Sequence, residues 1–134
     1  MSRSSGSEPQ TVLVIDDDGD LLDVVRVVIE EEHFRVLTAR DGEEALRLLE
    51  SGETPCLIIL DLTMPGMTGP EFRRRQLSNP RTSQIPVVGF TGVANREGEA
   101  RGLALSSFLR KPVHLHHLLE TVAHYCSDPD HIES

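Results

Sequence analysis

Acidic, hydroxyl and amino side chains come directly after apolar runs in this sequence, and together they could bind a cation and a phosphoryl group. Asp16 and Asp17 follow the first run, Asp61 follows a second, and Thr91 and Lys111 stand at the ends of two weaker runs. Clustered carboxylates repel one another, which raises their pKa values, and a hard divalent cation with oxygen ligands, such as Mg²⁺, relieves that repulsion. A hydroxyl and an ammonium would hold the phosphoryl group, so that one carboxylate can act as nucleophile.

The segments that must position these residues alternate between strand-like and helix-like patterns. The apolar runs predict strands over 11–15, 34–38, 56–60, 86–90 and 107–109. Amphipathic spacing predicts helices between them: one has the stripe Leu21, Val25, Val28 and Ile29, and another begins with the capping pair Asp41 and Glu44. The later helical signals are Pro70 at a helix start, a glycine-interrupted stretch over 94–103, and the last stripe of Leu115, Leu118, Leu119, Val122 and Cys126.

This alternation predicts an α/β fold of five β/α units, in which a parallel five-stranded sheet has helices on both faces. Functional sites in such sheets lie outside the carboxyl ends of the strands. The five polar residues named above are therefore expected to gather at one edge of the sheet. The sequence has no phosphate-binding glycine motif, so it does not imply a bound nucleotide.

Length and composition predict one acidic domain. The 134 residues carry a formal net charge of −9, which argues against nucleic-acid and anionic-membrane partners. We expect a flexible leader over 1–10, a domain over 11–126 and a polar tail over 127–134, in a cytoplasmic protein without a signal peptide. Cys56 and Cys126 form no disulfide framework or metal motif and are predicted to be free thiols, with Cys56 packed as a small apolar side chain.

Five segments together resemble the receiver domain of two-component response regulators. They occur in the order Val12–Asp18, Asp41–Leu46, Ile59–Gly69, Phe90–Gly92 and Phe108–Pro112, and the similarity covers residues 11–126. The resemblance implies a flavodoxin-like, doubly wound (βα)5 sandwich with the strand order 2-1-3-4-5.

The resemblance also implies a role for each matching residue. Asp61 would accept the phosphoryl group, and Asp17 and Asp61, together with the backbone carbonyl of Thr63, would coordinate Mg²⁺ (Mn²⁺ being possible), while Asp16 would act through water. Thr91 would hydrogen-bond the phosphoryl group. Phe108, in the fifth strand, would turn inward as a switch residue when Thr91 moves. Lys111, after that strand, would pair with the phosphoryl group, and the peptide bond between Lys111 and Pro112 would be cis.

As a response regulator, the chain would receive its phosphoryl group from a sensor histidine kinase or a histidine phosphotransfer protein. It would signal to a downstream protein or a second receiver through the face formed by residues 94–126, and it would be a regulatory domain rather than an enzyme. Thr63 and Val93 flank the expected site, and neither is an acid or an amide that could align a hydrolytic water. Slow loss of the phosphoryl group is therefore expected.

Two other functions remain open from the sequence. A haloacid-dehalogenase-like phosphohydrolase would use Asp16 as nucleophile and Asp18 as acid, and a phosphate-independent interaction module would use the receiver fold alone. Plainer interpretations apply to other polar residues. Asp18 is expected to cap the first helix. The runs 73–75 and 114–117 are expected to be solvated faces. For 114–117, a solvated face is preferred to a zinc site formed by its histidines.

Overall fold

The computed structural model describes residues 10–61, 69–91, 107–110 and 114–126, except for the side chains of residues 69, 70, 91 and 107–110. Five strands and four helices lie within those ranges. The strands are β1 (Thr11–Ile15), β2 (Arg35–Ala39), β3 (Leu57–Asp61), β4 (Val87–Thr91) and β5 (Ser107–Arg110). The helices are α1 (Gly19–Glu30), α2 (Gly42–Glu50), α3 (Gly69–Leu77) and α4 (Leu115–Tyr125). The predicted leader, apart from Gln10, the tail and the helix over 94–103 lie outside the described residues.

All five strands form one parallel sheet in the order β2-β1-β3-β4-β5. This confirms the predicted α/β fold and its 2-1-3-4-5 order. The strand positions agree with the sequence prediction to within one residue at either end. β1 and β3 are buried along nearly their whole length because helices cover both faces of the sheet.

Alternate side chains of the strands enter two apolar cores on opposite faces of the sheet. In one core, Val12 and Ile59 pack with residues of α1 and α4, and in the other, Leu13 and Ile58 pack with residues of α2 and α3. The predicted stripe of α1 is partly wrong, because Leu22 is buried with Val25 and Ile29 while Leu21 is only partly buried.

The first two helices begin at the aspartates that the sequence predicts. Asp18 caps α1 by accepting the backbone N–H groups of Asp20 and Leu21 at 3.1 and 3.2 Å. Asp41 caps α2 by accepting the N–H of Glu44 at 2.8 Å. The Glu44 carboxylate reaches back to the N–H of Arg40 at 2.8 Å, so the capping pair closes one residue earlier than in the usual arrangement.

The prediction of a solvated face over 73–75 is wrong for Arg73, which is buried, whereas Arg74 and Arg75 are exposed. The guanidinium of Arg73 donates to Oε1 of the fully buried Gln76, and burial lowers the pKa of Arg73. The amide of Gln76 in turn donates to the carbonyls of Thr82 and Ile85 at 2.7 and 3.1 Å. This network holds the segment after α3 against the helix.

The prediction of two free thiols is also wrong, because Cys56 and Cys126 form a disulfide. They are 70 residues apart in sequence, with their Cα atoms 5.5 Å apart. Cys56 precedes β3 and Cys126 follows α4. Both cysteines pack in the apolar core that α4 forms with one face of the sheet, and this packing brings them together. No local motif marks such a contact, which depends on the whole fold.

At the edge of the sheet where the strands begin, here called the amino edge, Arg35 forms a bidentate ion pair with Glu53, with N–O distances of 3.0 and 3.2 Å. The hydrogen bond to Arg35 lowers the pKa of the Glu53 carboxyl and the same bond raises that of Arg35. Both side chains contact solvent, so the pair adds little to stability. Among the described helices, none is long and apolar enough to cross a membrane.

We predict that replacing Gln76 with Leu destabilises the chain, because it removes both donors to the carbonyls of Thr82 and Ile85 and leaves Arg73 without this acceptor. The expected loss in free energy of unfolding is about 3 kcal/mol, measured by urea denaturation. Arg74→Ala, which changes an exposed residue of the same helix, should alter stability by no more than about 0.5 kcal/mol. A Gln76→Leu protein as stable as the Arg74→Ala control would contradict this account.

Candidate functional site

The parallel register aligns the carboxyl ends of the strands. Ile15 of β1 pairs with Leu60 of β3. The next residues are Asp16, which follows β1, and Asp61, the last residue of β3, and they therefore lie side by side. On the other flank, Asp61 pairs with Phe90 of β4. The acidic residues after β1 and at the end of β3 therefore meet at one edge of the sheet, as the sequence predicts.

Asp16 is held by two backbone contacts. Its N–H donates to the carbonyl of Ala39 at the end of β2, at 3.0 Å, and its carboxylate Oδ1 accepts the N–H of Asp18 at 2.9 Å. The side chain is 0% exposed. The first contact fixes the backbone of Asp16, and the second fixes the direction of its carboxylate.

The three carboxylates of Asp16, Asp17 and Asp61 form one cluster. Each offers an oxygen, and these oxygens all lie within 4.8 Å of one another. Asp16 and Asp61 are buried, with Asp61 1% exposed, whereas Asp17 is exposed at the rim. The site therefore has buried acids at its base and an acid that solvent can reach.

Such a donor set fits a small hard cation. Mg²⁺ prefers carboxylate and carbonyl oxygens, takes one or two carboxylates from the protein and usually retains several waters. The buried acids supply charge in a region where it is poorly screened, and the exposed Asp17 leaves room for a hydrated ion and a phosphoryl oxygen. A cation here would reduce the repulsion among the carboxylates.

The backbone places two of the other predicted site residues at or near the same edge. Thr91 is the last residue of β4 and pairs with Arg110, the last residue of β5, while Phe108 pairs with Gly89. The side chains of Thr91 and Phe108 are not described. Lys111, the next residue in the sequence after β5, lies outside the described residues, as do Thr63, Pro112, the predicted cis peptide bond and Val93.

Two of the contacts that position the acids were not predicted from the sequence. Asp18 is the predicted cap of α1, and its own N–H also donates to the carboxylate of Asp16, a contact that the sequence did not predict. An aspartate side chain often accepts the N–H of the residue two positions later and so forms a turn. The aspartate at position 16 could therefore have indicated this hydrogen bond. The carbonyl of Ala39 carries no comparable signal, because a backbone group is shared by every residue type.

The histidines at the start of α4 agree with the solvated face that was predicted for them. His114, His116 and His117 are exposed, and His116 lies 3.1 Å from the carboxylate of Glu120 one turn later. Within the ranges given above, the aspartate cluster is the one group of three or more metal-ligating side chains.

Known proteins of similar sequence include one that this chain matches over most of its length and one that is much longer than this chain. The chain is 36% identical over 117 residues to an uncharacterised 14.6 kDa protein of Leptolyngbya boryana, with 86% of this chain and 88% of that protein covered. It is 36% identical over 104 residues to the response regulator PleD of Caulobacter vibrioides, with 76% of this chain but only 23% of PleD covered.

Solved structures of similar fold lead to the same family. The chemotaxis protein CheY4 of Vibrio cholerae superimposes with a TM-score of 0.79 at 27% identity, covering 87% of this chain and 98% of CheY4. A CheY-like receiver domain protein of Methanospirillum hungatei gives a TM-score of 0.78 at 25% identity, with coverages of 87% and 94%. The family model of the response regulator receiver domain matches residues 12–123. With its sheet order and its aspartate cluster, the chain therefore belongs to the receiver domains of two-component response regulators.

Proposed function

We propose that Asp61 is the phosphoacceptor of this receiver domain and takes its phosphoryl group from a phosphohistidine of a sensor histidine kinase or a histidine phosphotransfer protein. The observation that supports this most directly is the cluster in which the oxygens of Asp16, Asp17 and Asp61 lie within 4.8 Å. Asp61 ends the central strand β3, between the neighbours β1 and β4 that bring Asp16 and Thr91 to the same edge.

In the proposed transfer, a carboxylate oxygen of Asp61 attacks the phosphorus atom. The P–O bond to Asp61 forms while the P–N bond to the donor histidine breaks, and the released imidazole takes up a proton. Such transfers have a loose transition state, so the protein contributes mainly positioning and charge stabilisation. Lys111 would supply the positive charge, and the Thr91 hydroxyl would donate to the transferred group.

Mg²⁺ would be held by Asp17, Asp61 and the carbonyl of Thr63, with Asp16 acting through water. The ion would neutralise charge on the phosphoryl oxygens. The support for this proposal is the oxygen-only donor set of the cluster. Mn²⁺, which accepts the same ligands, would substitute.

The phosphoryl group would then change the surface that partners contact. It adds negative charge and acceptor oxygens at Asp61, and the hydroxyl of Thr91 gains a partner there. Movement of Thr91 would open space for Phe108 and reshape the face over 94–126, where a downstream protein or a second receiver would dock. The chain would thus act in the cytoplasm as a regulatory domain that catalyses only its own phosphorylation and dephosphorylation.

We predict that Asp61→Asn abolishes phosphorylation by acetyl phosphate and Mg²⁺, because an amide nitrogen and oxygen are poor nucleophiles. The readout is intact-protein mass spectrometry at low pH, with peptide mapping of the modified residue. Asp23→Asn, which removes a carboxylate from the exposed face of α1, should be phosphorylated like the wild type. Label on Asp16, or undiminished label on the Asp61→Asn protein, would refute the assignment and favour a hydrolase-like nucleophile.

We predict that Asp17→Asn weakens Mg²⁺ binding about tenfold or more, because one anionic oxygen ligand becomes neutral. The chain contains no Trp, so isothermal titration calorimetry or NMR titration of the unphosphorylated protein is the suitable measurement. Raising the Mg²⁺ concentration should restore phosphorylation of this variant at Asp61. Equal Mg²⁺ affinity in Asp17→Asn and Asp23→Asn would exclude Asp17 as a ligand.

We predict slow autodephosphorylation, because neither Thr63 nor Val93 can align an attacking water as an acid or an amide would. Phosphorylated protein separated from acetyl phosphate and kept with Mg²⁺ should lose its label over minutes or longer. Thr63→Asn and Val93→Gln are expected to shorten the lifetime. A wild-type lifetime of seconds would show that another group positions the water.

A further inference from the structure

The disulfide joins two elements at the end of the molecule remote from the aspartate cluster. Cys56 stands immediately before β3, at the amino edge of the sheet, and Cys126 is the residue that ends α4. Asp61 closes β3 at the opposite edge, about 17 Å from Cys56 along the strand. Chemistry at the disulfide is therefore separate from chemistry at Asp61.

The backbone around both cysteines is hydrogen-bonded without the help of the sulfur–sulfur bond. The N–H of Cys56 donates to the carbonyl of Thr11, and the N–H of Cys126 donates to the carbonyl of Val122, each at 2.8 Å. The Sγ atom of Cys56 also lies 3.2 Å from the Thr11 carbonyl. In the disulfide this sulfur carries no proton, but a Cys56 thiol could donate to that oxygen from the same position.

The two sulfur atoms also have suitable surroundings as thiols. Cys126 is 1% exposed within the apolar core between α1 and α4, where a free cysteine packs as a small apolar side chain. Cα atoms 5.5 Å apart lie at the usual disulfide separation, so the bond can form from the thiols without backbone movement. The fold thus accommodates both the oxidised and the reduced pair.

The two cysteines differ in their exposure to solvent. Cys56 is partly exposed and lines an open cleft of about 600 Å³ at the amino edge, together with Thr11, Arg35 and Glu53. Cys126 has almost no contact with solvent. An attacking thiolate would therefore reach Cys56, and Cys126 would be the leaving group.

We propose that Cys56 and Cys126 form a reversible thiol–disulfide site that fastens the end of α4 to the start of β3 when oxidised. A dithiol reductant attacks Sγ of Cys56, a mixed disulfide forms, and the Cys126 thiolate leaves and takes up a proton. The second thiol of the reductant then attacks the mixed disulfide and releases Cys56 as a thiol. The pair gains two electrons and two protons while the dithiol becomes a disulfide, and a low-molecular-weight disulfide reverses the reaction.

Oxidation should restrain the C-terminal turn of α4, which is otherwise held by the bond from Cys126 to Val122 and by burial of Val122. Disulfides in reducing compartments are usually transient and regulatory, so a cytoplasmic location, as proposed above, would give this site a signalling use. The redox site itself does not depend on phosphorylation of Asp61.

The test uses the full chain without denaturant. The oxidised protein should not react with a maleimide, and after dithiothreitol it should accept two maleimide groups. Hydrogen exchange of the amides from Val122 to Cys126 should accelerate at least tenfold on reduction and return after treatment with oxidised glutathione. Asp61→Asn should behave identically, which separates this proposal from the phosphoacceptor proposal.

Variants identify the attacked sulfur. Cys126→Ala should form a mixed disulfide with oxidised glutathione at Cys56 at least tenfold faster than Cys56→Ala does at Cys126. The double variant Cys56→Ala/Cys126→Ala should show exchange that does not respond to dithiothreitol. The proposal is overturned if the bond is reduced only in urea, if reduction leaves exchange of the last turn unchanged, or if Cys126 is the faster-reacting thiol.

Discussion

The parallel pairing of β1 with β3 is the constraint on which the position of the aspartate cluster depends. Because Ile15 pairs with Leu60, the following aspartates emerge together, and a slip of one residue would turn the alternating side chains of one strand to the wrong face. The two apolar cores prevent that slip, since each takes every second side chain of these strands. Burial of aliphatic side chains therefore fixes the geometry of the acidic cluster.

Two of the three carboxylates in that cluster are buried, where water screens repulsion between like charges poorly. The structure offsets this with local bonds, including the N–H of Asp18 on the carboxylate of Asp16. The opposite edge of the sheet has a different character, with the exposed pair of Arg35 and Glu53 and the disulfide at Cys56. The central strand β3 thus runs from the disulfide before its first residue to the aspartate cluster at its last residue.

The wrong predictions for Arg73 and for the two cysteines have one cause: a local sequence pattern does not show which residues distant in the chain will become neighbours. Arg73 stands among arginines, which favours a solvated face, but the chain after α3 folds back and shares the network of Gln76. Cys56 and Cys126 are separated by 70 residues, and only the packing of α4 against the sheet brings them within bonding reach. Leu22 was missed in α1 because neighbouring apolar residues leave the phase of the stripe open to within one position.

By itself, the sequence determined the α/β alternation, the strands to within one residue, the caps at Asp18 and Asp41, and the aspartates that meet at the carboxyl edge. These follow from local physics: hydrophobic period, capping chemistry and the rule that parallel strands end on one side. Tertiary structure alone decided the distances within the cluster, the carbonyl of Ala39 that holds Asp16, the burial of Arg73 and the pairing of the cysteines. Each of these depends on side-chain and backbone contacts between segments far apart in the chain, which no local pattern encodes.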